Sequence, residues 1–561
     1  MILQNINISI FNNINNLNNS IPQLISDSWH TFFTNTLNTV NLSAITTANY
    51  LQTYLFSNSN TNFFDLELSG YYLLTIFTLI FGYLYIKPNV RYATFSLLNV
   101  SESIWYISII CFLLMLINKE SVTFEWINNF FNIHSTINIK LIIILLLMTT
   151  IMFSSFINTL KNQQNKTSPE VLILIFLVVC FGCSLLEINN FALFIVCLEG
   201  FSLTLYILAT TSRIYGSIAA SIKYFIFGTL GSILFYWGSL IIFEISASMD
   251  INIISQIFES KFDLLSNNII LSNEQYIKAT FASSLIIIGF LVKLGAAPFH
   301  QWIPDVYAGV SMFVTAFFAI IVKTILFILF LKFALIFVTL KEVEYASILS
   351  IIVGCFGTIR QTELKRFLAY GSITHTGYLL MGDLTSTYIY LITYMLASII
   401  LFSILLNVTI NSKELIYLSD LRYLGKSMST LDRTVFVIIL ASMAGLPPFA
   451  GFYGKMLVWM SLIEDIYLYN DYWSFILLFI NLILALFVIF YYMQVLCLLF
   501  VNDENENKFL TVTENLYFSN VKESTLISIF NQNTRTKVLQ SFGALILTFG
   551  IFILPYLYNI I

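Results

Sequence analysis

From about residue 71 the chain alternates between long apolar runs and short polar punctuation. Runs of roughly 18 residues or more can cross a hydrocarbon core about 30 Å thick. They lack the every-second-residue alternation of barrel strands, and a bilayer offers no water to satisfy backbone N–H and C=O groups, so helices are the spanning form that remains. The pattern predicts about fourteen spans, near 71–86, 93–117, 138–158, 170–187, 189–210, 216–243, 279–297, 310–335, 345–360, 366–383, 386–410, 433–463, 473–500 and 540–558. The expected fold class is therefore all-α, a polytopic transmembrane helical bundle. Residues 1–68 are rich in Asn, Ser and Thr with short apolar patches such as "SWHTFFTNTL" and read as a polar extension ahead of a transmembrane domain over 69–561. Two polar stretches, 247–276 and 502–538, read as exposed connections.

Breakers interrupt the pattern in particular places. The segment "IKYFIFGTLGSILFYWG" carries Gly228 and Gly231, and "SMAGLPPFAGFYGK" carries Pro447 and Pro448 among three glycines. Proline removes a backbone donor and clashes with the preceding turn. Interrupted helices at membrane depth are tolerated where backbone is buried in protein or lines a cavity, and they point toward transport sites. Both segments are expected to break. A third stretch, "LVKLGAAPFHQWIPDVYAGV" at 291–310, ends an apolar run with a stiff polar turn that stops the helix and fixes the depth of Lys293.

Composition sharpens this. Charged residues are 10 % of the chain and hydrophobic ones 58 %, against roughly 25 % charged in a soluble domain. A net charge of −4, scattered along the chain, excludes a nucleic-acid surface. Cys180 and Cys183 form one Cys-x-x-Cys inside an apolar run with no second pair, which reads as small core residues rather than a metal or redox site. The four histidines, His30, His134, His300 and His375, never fall two to a helix, as paired axial haem ligation would need. Heavy use of Phe, Tyr, Ile and Asn fits AT-rich coding, and the polar N-terminus, whose first basic residue is Lys87, is not an Arg-rich transit peptide. The expected location is the mitochondrial inner membrane, with synthesis inside the organelle; the bacterial plasma membrane is the alternative.

Against this background five charges stand inside apolar runs: Glu199, Lys223, Lys293, Lys323 and Lys455. A charge at mid-bilayer costs about 2.5–3.5 kcal/mol or more, so they are expected to face inward, toward each other or water. The competing explanation is snorkelling to an interface, which accounts for Lys323 equally well. His375 is the only histidine, lysine, arginine or acidic residue in the stretch "FLAYGSITHTGYLLMG"; it either hydrogen-bonds across a helix interface or relays protons, since histidine titrates near neutrality. His300, in the turn, reads as structural. Burial lowers a lysine's proton affinity and an approaching carboxylate raises it, so a Lys–Glu pair whose spacing changes is a proton-loading site. The residues then suggest a path in which Glu199 gates Lys223, Lys293 and His375 carry the proton onward, and Lys455 exchanges it with one side. No flavin, iron–sulfur or nucleotide motif supplies the work, so the energy is expected to come from a partner or another ion gradient.

These residues lie in motifs that resemble a known family. "LVKLGAAPFHQWIPDVYAGVSMFVTAFFAIIVK", "IRQTELKRFLAYGSITHTGYLLMG", "ASMAGLPPFAGFYGK", "CLEGFSLTLYIL" and "SIKYFIFGTLGSILFYWG" occur in the order found in the antiporter-like subunits of respiratory complex I, over roughly residues 90–500. Within that family the chain looks like the branch with lysine at position 455 and a single span after the last polar loop. It departs by its N-terminal extension, by Gly200 where the family often has Leu, and by Gly371 where it often has Ser. The resemblance implies inverted five-helix repeats, each with a broken helix. It implies Glu199 and Lys223 as a coupled ion pair, Lys293 and His375 on a central hydrophilic axis, and Lys455 at a distal exit. It implies proton translocation within NADH:ubiquinone oxidoreductase. FMN, iron–sulfur clusters and ubiquinone would sit in partner subunits, and the neighbours would be other antiporter-like subunits, the quinone arm and lipid. A cation/proton antiporter subunit of the Mrp type is the alternative.

Overall fold

The computed structural model describes residues 170–188, 190–211, 215–251, 254–255, 273–334, 341–407, 417–421, 430–469, 472–500 and 540–550. The extension 1–68, the spans near 71–86, 93–117 and 138–158, the connection 502–538 and most of 247–276 lie outside these residues. Among the described residues all regular structure is helical, apart from two isolated bridges, Asn190 with Asp250 and Glu363 with Tyr417.

The helices in chain order are α1 (Glu170–Glu187), α2 (Phe191–Thr210), α3 (Tyr215–Ser246), α4 (Asn273–Leu294) and α5 (Trp302–Gly309). Next come α6 (Met312–Phe317), a π turn (Phe318–Val322) and α7 (Lys323–Ala334), which run on as one apolar stretch. Then follow α8 (Lys341–Ile359), α9 (Leu364–Met381), α10 (Leu384–Asn407), α11 (Thr430–Ala444), α12 (Ala450–Tyr469) and α13 (Tyr472–Phe500), with a last apolar helix α14 (Gln540–Gly550). Seven described stretches are long and apolar enough to cross a membrane. The chain is a multi-pass membrane protein.

Burial separates lipid from core. The Met312–Ala334 stretch is enclosed along its whole length, whereas α3 and α13 present stripes of exposed Ile, Leu and Phe, for example Ile226, Ile233 and Phe243 on α3. In water such a stripe would mark a binding surface; on a spanning helix it is the face that meets hydrocarbon or a neighbouring helix.

The breaks fall partly where the pattern puts them. The predicted span 433–463 is two helices, α11 and α12, separated at Gly445–Phe449. The other break is at Gly295–Gln301, between α4 and α5, whereas α3 runs unbroken through Gly228 and Gly231. Glycine weakens a helix without stopping it, and here it serves close approach. A Cβ on Gly231 would sit 3.1 Å from the Gly289 carbonyl of α4, and one on Gly289 would sit 2.8 Å from the Gly231 carbonyl. Helices in membranes associate through such small-residue crossings. The connection predicted over 247–276 also ends earlier, because α4 begins at Asn273.

The two breaks are built alike. Each carries the pattern Gly-x-x-Pro-Phe, at Gly295–Phe299 and Gly445–Phe449. Each glycine is left-handed, at φ 68° and 82°, a conformation glycine adopts without strain. Ala296 N–H donates back to the Leu291 carbonyl at 3.0 Å, and Leu446 N–H to the Ala441 carbonyl at 3.1 Å. Phe299 and Phe449 then close the turns onto Ala296 and Leu446. This is the glycine-ended helix stop in which the backbone folds back on its own last carbonyls.

Candidate functional site: a buried row of ionisable side chains

Lys455 enters on α12 and reaches back to the end of α11. Its Nζ donates to the carbonyls of Met443 at 3.1 Å and Ala444 at 2.8 Å, and lies 5.1 Å from the Tyr378 ring centroid. The last four carbonyls of a helix have no partner inside it, and the negative end of the helix dipole favours a cation there. Breaking the helix thus manufactures a cation site at membrane depth. Gly445 is required twice over: its φ is positive, and a Cβ would meet the lysine stem at 2.8 Å.

Lys293 occupies the corresponding end of α4, in its last turn. It is buried, and its Nζ has no hydrogen-bond partner among the described residues. A cavity of about 10 Å³ of space for water centres lies beside it, lined by Ser202, Tyr206, Tyr224, Trp302 and Leu326 among others. That is on the order of one water molecule. The anionic group acting on Lys293 is Glu199 of α2. The Glu199 side chain is half-buried, and one of its oxygens accepts from the cavity-lining Ser202 hydroxyl at 3.4 Å.

Lys323 follows the π turn directly. Its Nζ donates to the Ser372 carbonyl of α9 at 3.0 Å, and it is buried. A π turn widens the helix and frequently accompanies a functional position. Snorkelling is not what this side chain does.

His375 is buried on α9 with both ring nitrogens engaged, Nδ1 2.7 Å from the Tyr390 hydroxyl and Nε2 3.1 Å from that of Tyr492. The charges of Lys455 and Lys323 both act on this ring. Lys323, His375 and Lys455 thus meet around α9, and Lys293 stands at its own cavity. Helix α7 joins them, since Leu326, one turn beyond Lys323, lines the cavity at Lys293.

Lys223 is not brought to Glu199. It pairs with Asp305 of α5 at 2.5 Å, with both side chains substantially exposed, and Arg366 approaches the same carboxylate at 4.0 Å. The reason lies in the faces of α3: Lys223 stands among its exposed positions next to Ile222 and Phe225. His300 lies in the α4–α5 turn, half-buried, its Nδ1 without a hydrogen-bond partner among the described residues, and burial lowers its affinity for a proton below the usual histidine value. The sequence reading missed Asp305 as a partner for Lys223. It also missed the tyrosines around His375, which are spread over α9, α10 and α13 and converge only in three dimensions.

Interrupted helices and ionisable side chains buried in a helical bundle are features of ion-transporting membrane proteins. The family described as NADH:quinone oxidoreductase/Mrp antiporter, TM, matches residues 189–501, more than half of the chain, and the chain belongs to it. Among curated relatives, the NADH-quinone oxidoreductase subunit N 2 of Thermodesulfovibrio yellowstonii is 31 % identical over 70 % of this chain and 79 % of its own length. Subunit N of Pelagibacter ubique is 31 % identical over 57 % of this chain and 66 % of its own length; that of Ruthia magnifica is 33 % identical over 46 % and 55 %. The match to these last two covers less than two thirds of their length. Among solved structures, a chain of respiratory complex I from Thermus thermophilus superposes with TM-score 0.63 at 22 % identity, covering 88 % of this chain and 98 % of that one. A chain of the Mrp complex from Dietzia sp. gives 0.62 at 14 %, covering 88 % and 96 %. These two likenesses establish the fold.

Proposed function

We propose that this chain is a proton-translocating membrane-arm subunit of an NADH:quinone oxidoreductase. The observation that carries this reading is the series Lys293, Lys323, His375 and Lys455, four ionisable side chains buried along the interior of one bundle. Each costs several kcal/mol to hold there, and a scaffold has no use for them. The subunit N relatives favour the NADH-linked form. In this reading electrons pass through FMN, iron–sulfur clusters and ubiquinone in partner subunits, and this chain supplies loading sites whose proton affinity its surroundings set. Glu199 works with Lys293 in the first site. Lys323 and His375 continue the path, and Lys455 is the far exchange site. Lys223, paired with Asp305 at the surface, stands outside this path.

The partners in this reading are the neighbouring antiporter-like subunits and the quinone-reducing membrane subunits. The location is the mitochondrial inner membrane, supported by the Phe-, Tyr-, Ile- and Asn-rich composition; the named relatives are bacterial, and the bacterial plasma membrane is the alternative.

Replacing Lys293 or Lys455 with Met tests the reading. The complex should assemble, and proton uptake linked to NADH oxidation should fall. Wild-type pumping in an assembled variant would refute it. The likeness to the Mrp chain favours a second reading, a gradient-driven cation/proton antiporter. Purification of the native complex separates the two: co-purifying NADH oxidation with iron–sulfur absorbance excludes the second.

A further inference from the structure

The hydrogen bonds of His375 have a consequence for how a proton can pass. A neutral imidazole has one N–H donor and one bare nitrogen acceptor. With Tyr390 on Nδ1 and Tyr492 on Nε2, one phenol must therefore accept from the ring while the other donates to it. Both phenols are buried, each at 2 % exposure or less, so no bulk water competes for these bonds. The Tyr394 ring lies against the imidazole, with centroids 4.8 Å apart and planes at 35°. Gly371 leaves room for the Tyr492 hydroxyl, since a Cβ there would lie 3.3 Å from it.

The two phenols come from different helices, Tyr390 from α10 and Tyr492 from α13. Tyr390 packs edge-on to Tyr378 at 6.0 Å between centroids, and Tyr378 underlies the Lys455 ammonium. The Tyr492 ring packs against that of Tyr491 at 4.5 Å between centroids, and the Tyr491 hydroxyl lies 3.2 Å from that of Thr374. The carbonyl of Ser372, three residues before His375 on α9, holds Lys323.

We propose that Tyr492, His375 and Tyr390 form a three-member relay that passes one proton between the Lys323 side and the Lys455 side and is then blocked until the imidazole turns. The proposal rests on the proton-carrying reading above. In the starting tautomer Nδ1 carries the hydrogen and Tyr492 donates to Nε2. The Tyr492 O–H bond breaks as an Nε2–H bond forms, and the Tyr492 oxygen takes a replacement proton from its own side. The Nδ1–H bond breaks as a new O–H bond forms on Tyr390, which releases its original proton toward Lys455. Each oxygen gains one proton and loses one. The ring ends neutral in the opposite tautomer, with no change in oxidation state. A second proton arriving from the same side meets Nε2 already occupied. Reset requires the ring and both hydroxyls to reorient, which the stacked Tyr394 resists.

Tyr390→Phe and Tyr492→Phe keep ring volume and remove only the hydroxyl. They are measured in membrane vesicles holding the native complex, alongside Lys455→Met. Each is expected to assemble and to lower the initial rate of NADH-driven proton uptake about tenfold or more. The double variant should fall no further than either single, because members of one series relay share a single loss, whereas two independent packing defects multiply. Gln at 375 retains a donor and an acceptor yet transfers no proton, so His375→Gln should assemble and lose uptake to the same extent. Wild-type uptake in any assembled member of this set, or multiplying losses in the double variant, overturns the relay. If Lys455→Met lowers uptake while the tyrosine variants do not, only the relay fails. If Lys455→Met also pumps normally, the proton-carrying reading fails with it.

Discussion

The ammonium of Lys455 lies 2.8 Å from the carbonyl of Ala444, eleven residues earlier in the chain and on the far side of a helix break. That bond exists because α11 stops at Gly445 and leaves its last carbonyls unpaired. Gly445→Ala would force a side chain into a left-handed backbone and against the Lys455 stem. The expected result is an assembled subunit with the lysine displaced and proton uptake reduced several-fold. Comparing uptake with the amount of complex on a native gel checks it.

Glu199 is the anionic group that acts on Lys293, and it is held by the Ser202 hydroxyl without a hydrogen bond to the Lys293 ammonium. Glu199→Gln removes the anion while keeping its size and its bond to Ser202. It is expected to assemble and to shift the pH dependence of proton uptake, because an opposite charge nearby alters a lysine's proton affinity. The pH profile of uptake in the variant, set beside the wild type, is the measurement; superimposed profiles would remove Glu199 from the loading site.

The salt bridge of Lys223 with Asp305 is exposed on both sides, and such pairs contribute about 0–1 kcal/mol. Lys223→Met is therefore expected to assemble and to pump within about twofold of wild type, in line with that small contribution. A loss as deep as that of Lys293→Met would place Lys223 back in the path. Parallel uptake assays on the two variants decide it.

How far these features were legible in the sequence differs by residue. Isolated charges in apolar runs are visible without structure, because a bilayer makes each one costly, and Lys293, Lys323, His375 and Lys455 are indeed buried. The break at Gly445 was legible because proline and glycine act locally. The break in α3 was not real, because Gly228 and Gly231 answer to contacts on other helices, with Tyr206, Gly289 and Lys293. Which carboxylate meets which lysine was likewise hidden: Lys223 and Asp305 are 82 positions apart. The tyrosine cage of His375 draws on three helices and leaves no periodic trace on any of them.

The crossing of α3 and α4 at Gly231 and Gly289 predicts a sharp difference between glycines. Gly289→Ala would put a methyl 2.8 Å from a backbone carbonyl, whereas Gly216→Ala meets nothing nearer than 3.8 Å. Overpacking of this kind costs typically about 1–3 kcal/mol. Gly289→Ala should lower the thermal stability of the assembled complex and Gly216→Ala should leave it unchanged, as read by the midpoint of heat-induced disassembly.

Burial holds the His300 proton affinity below its unfolded value, so the folded turn binds fewer protons than the unfolded chain. Its contribution is intact above the unfolded pKa of about 6.5 and is lost as pH falls through that value toward the lower folded one. His300→Gln should therefore flatten the acid side of the stability profile below about pH 6.5. Heat-induced disassembly measured across that range checks it; an unchanged acid slope would show that His300 does not contribute.

Arginine at position 455 separates a fixed charge from a proton carrier. Its guanidinium keeps a positive charge and can donate to the Met443 and Ala444 carbonyls, but it does not deprotonate in proteins. The deciding measurement is NADH-driven proton uptake by vesicles containing assembled Lys455→Arg complex, normalised to the amount of complex. If this chain carries protons through its buried lysines, uptake is lost although charge and assembly are kept. Uptake at the wild-type rate would contradict the account.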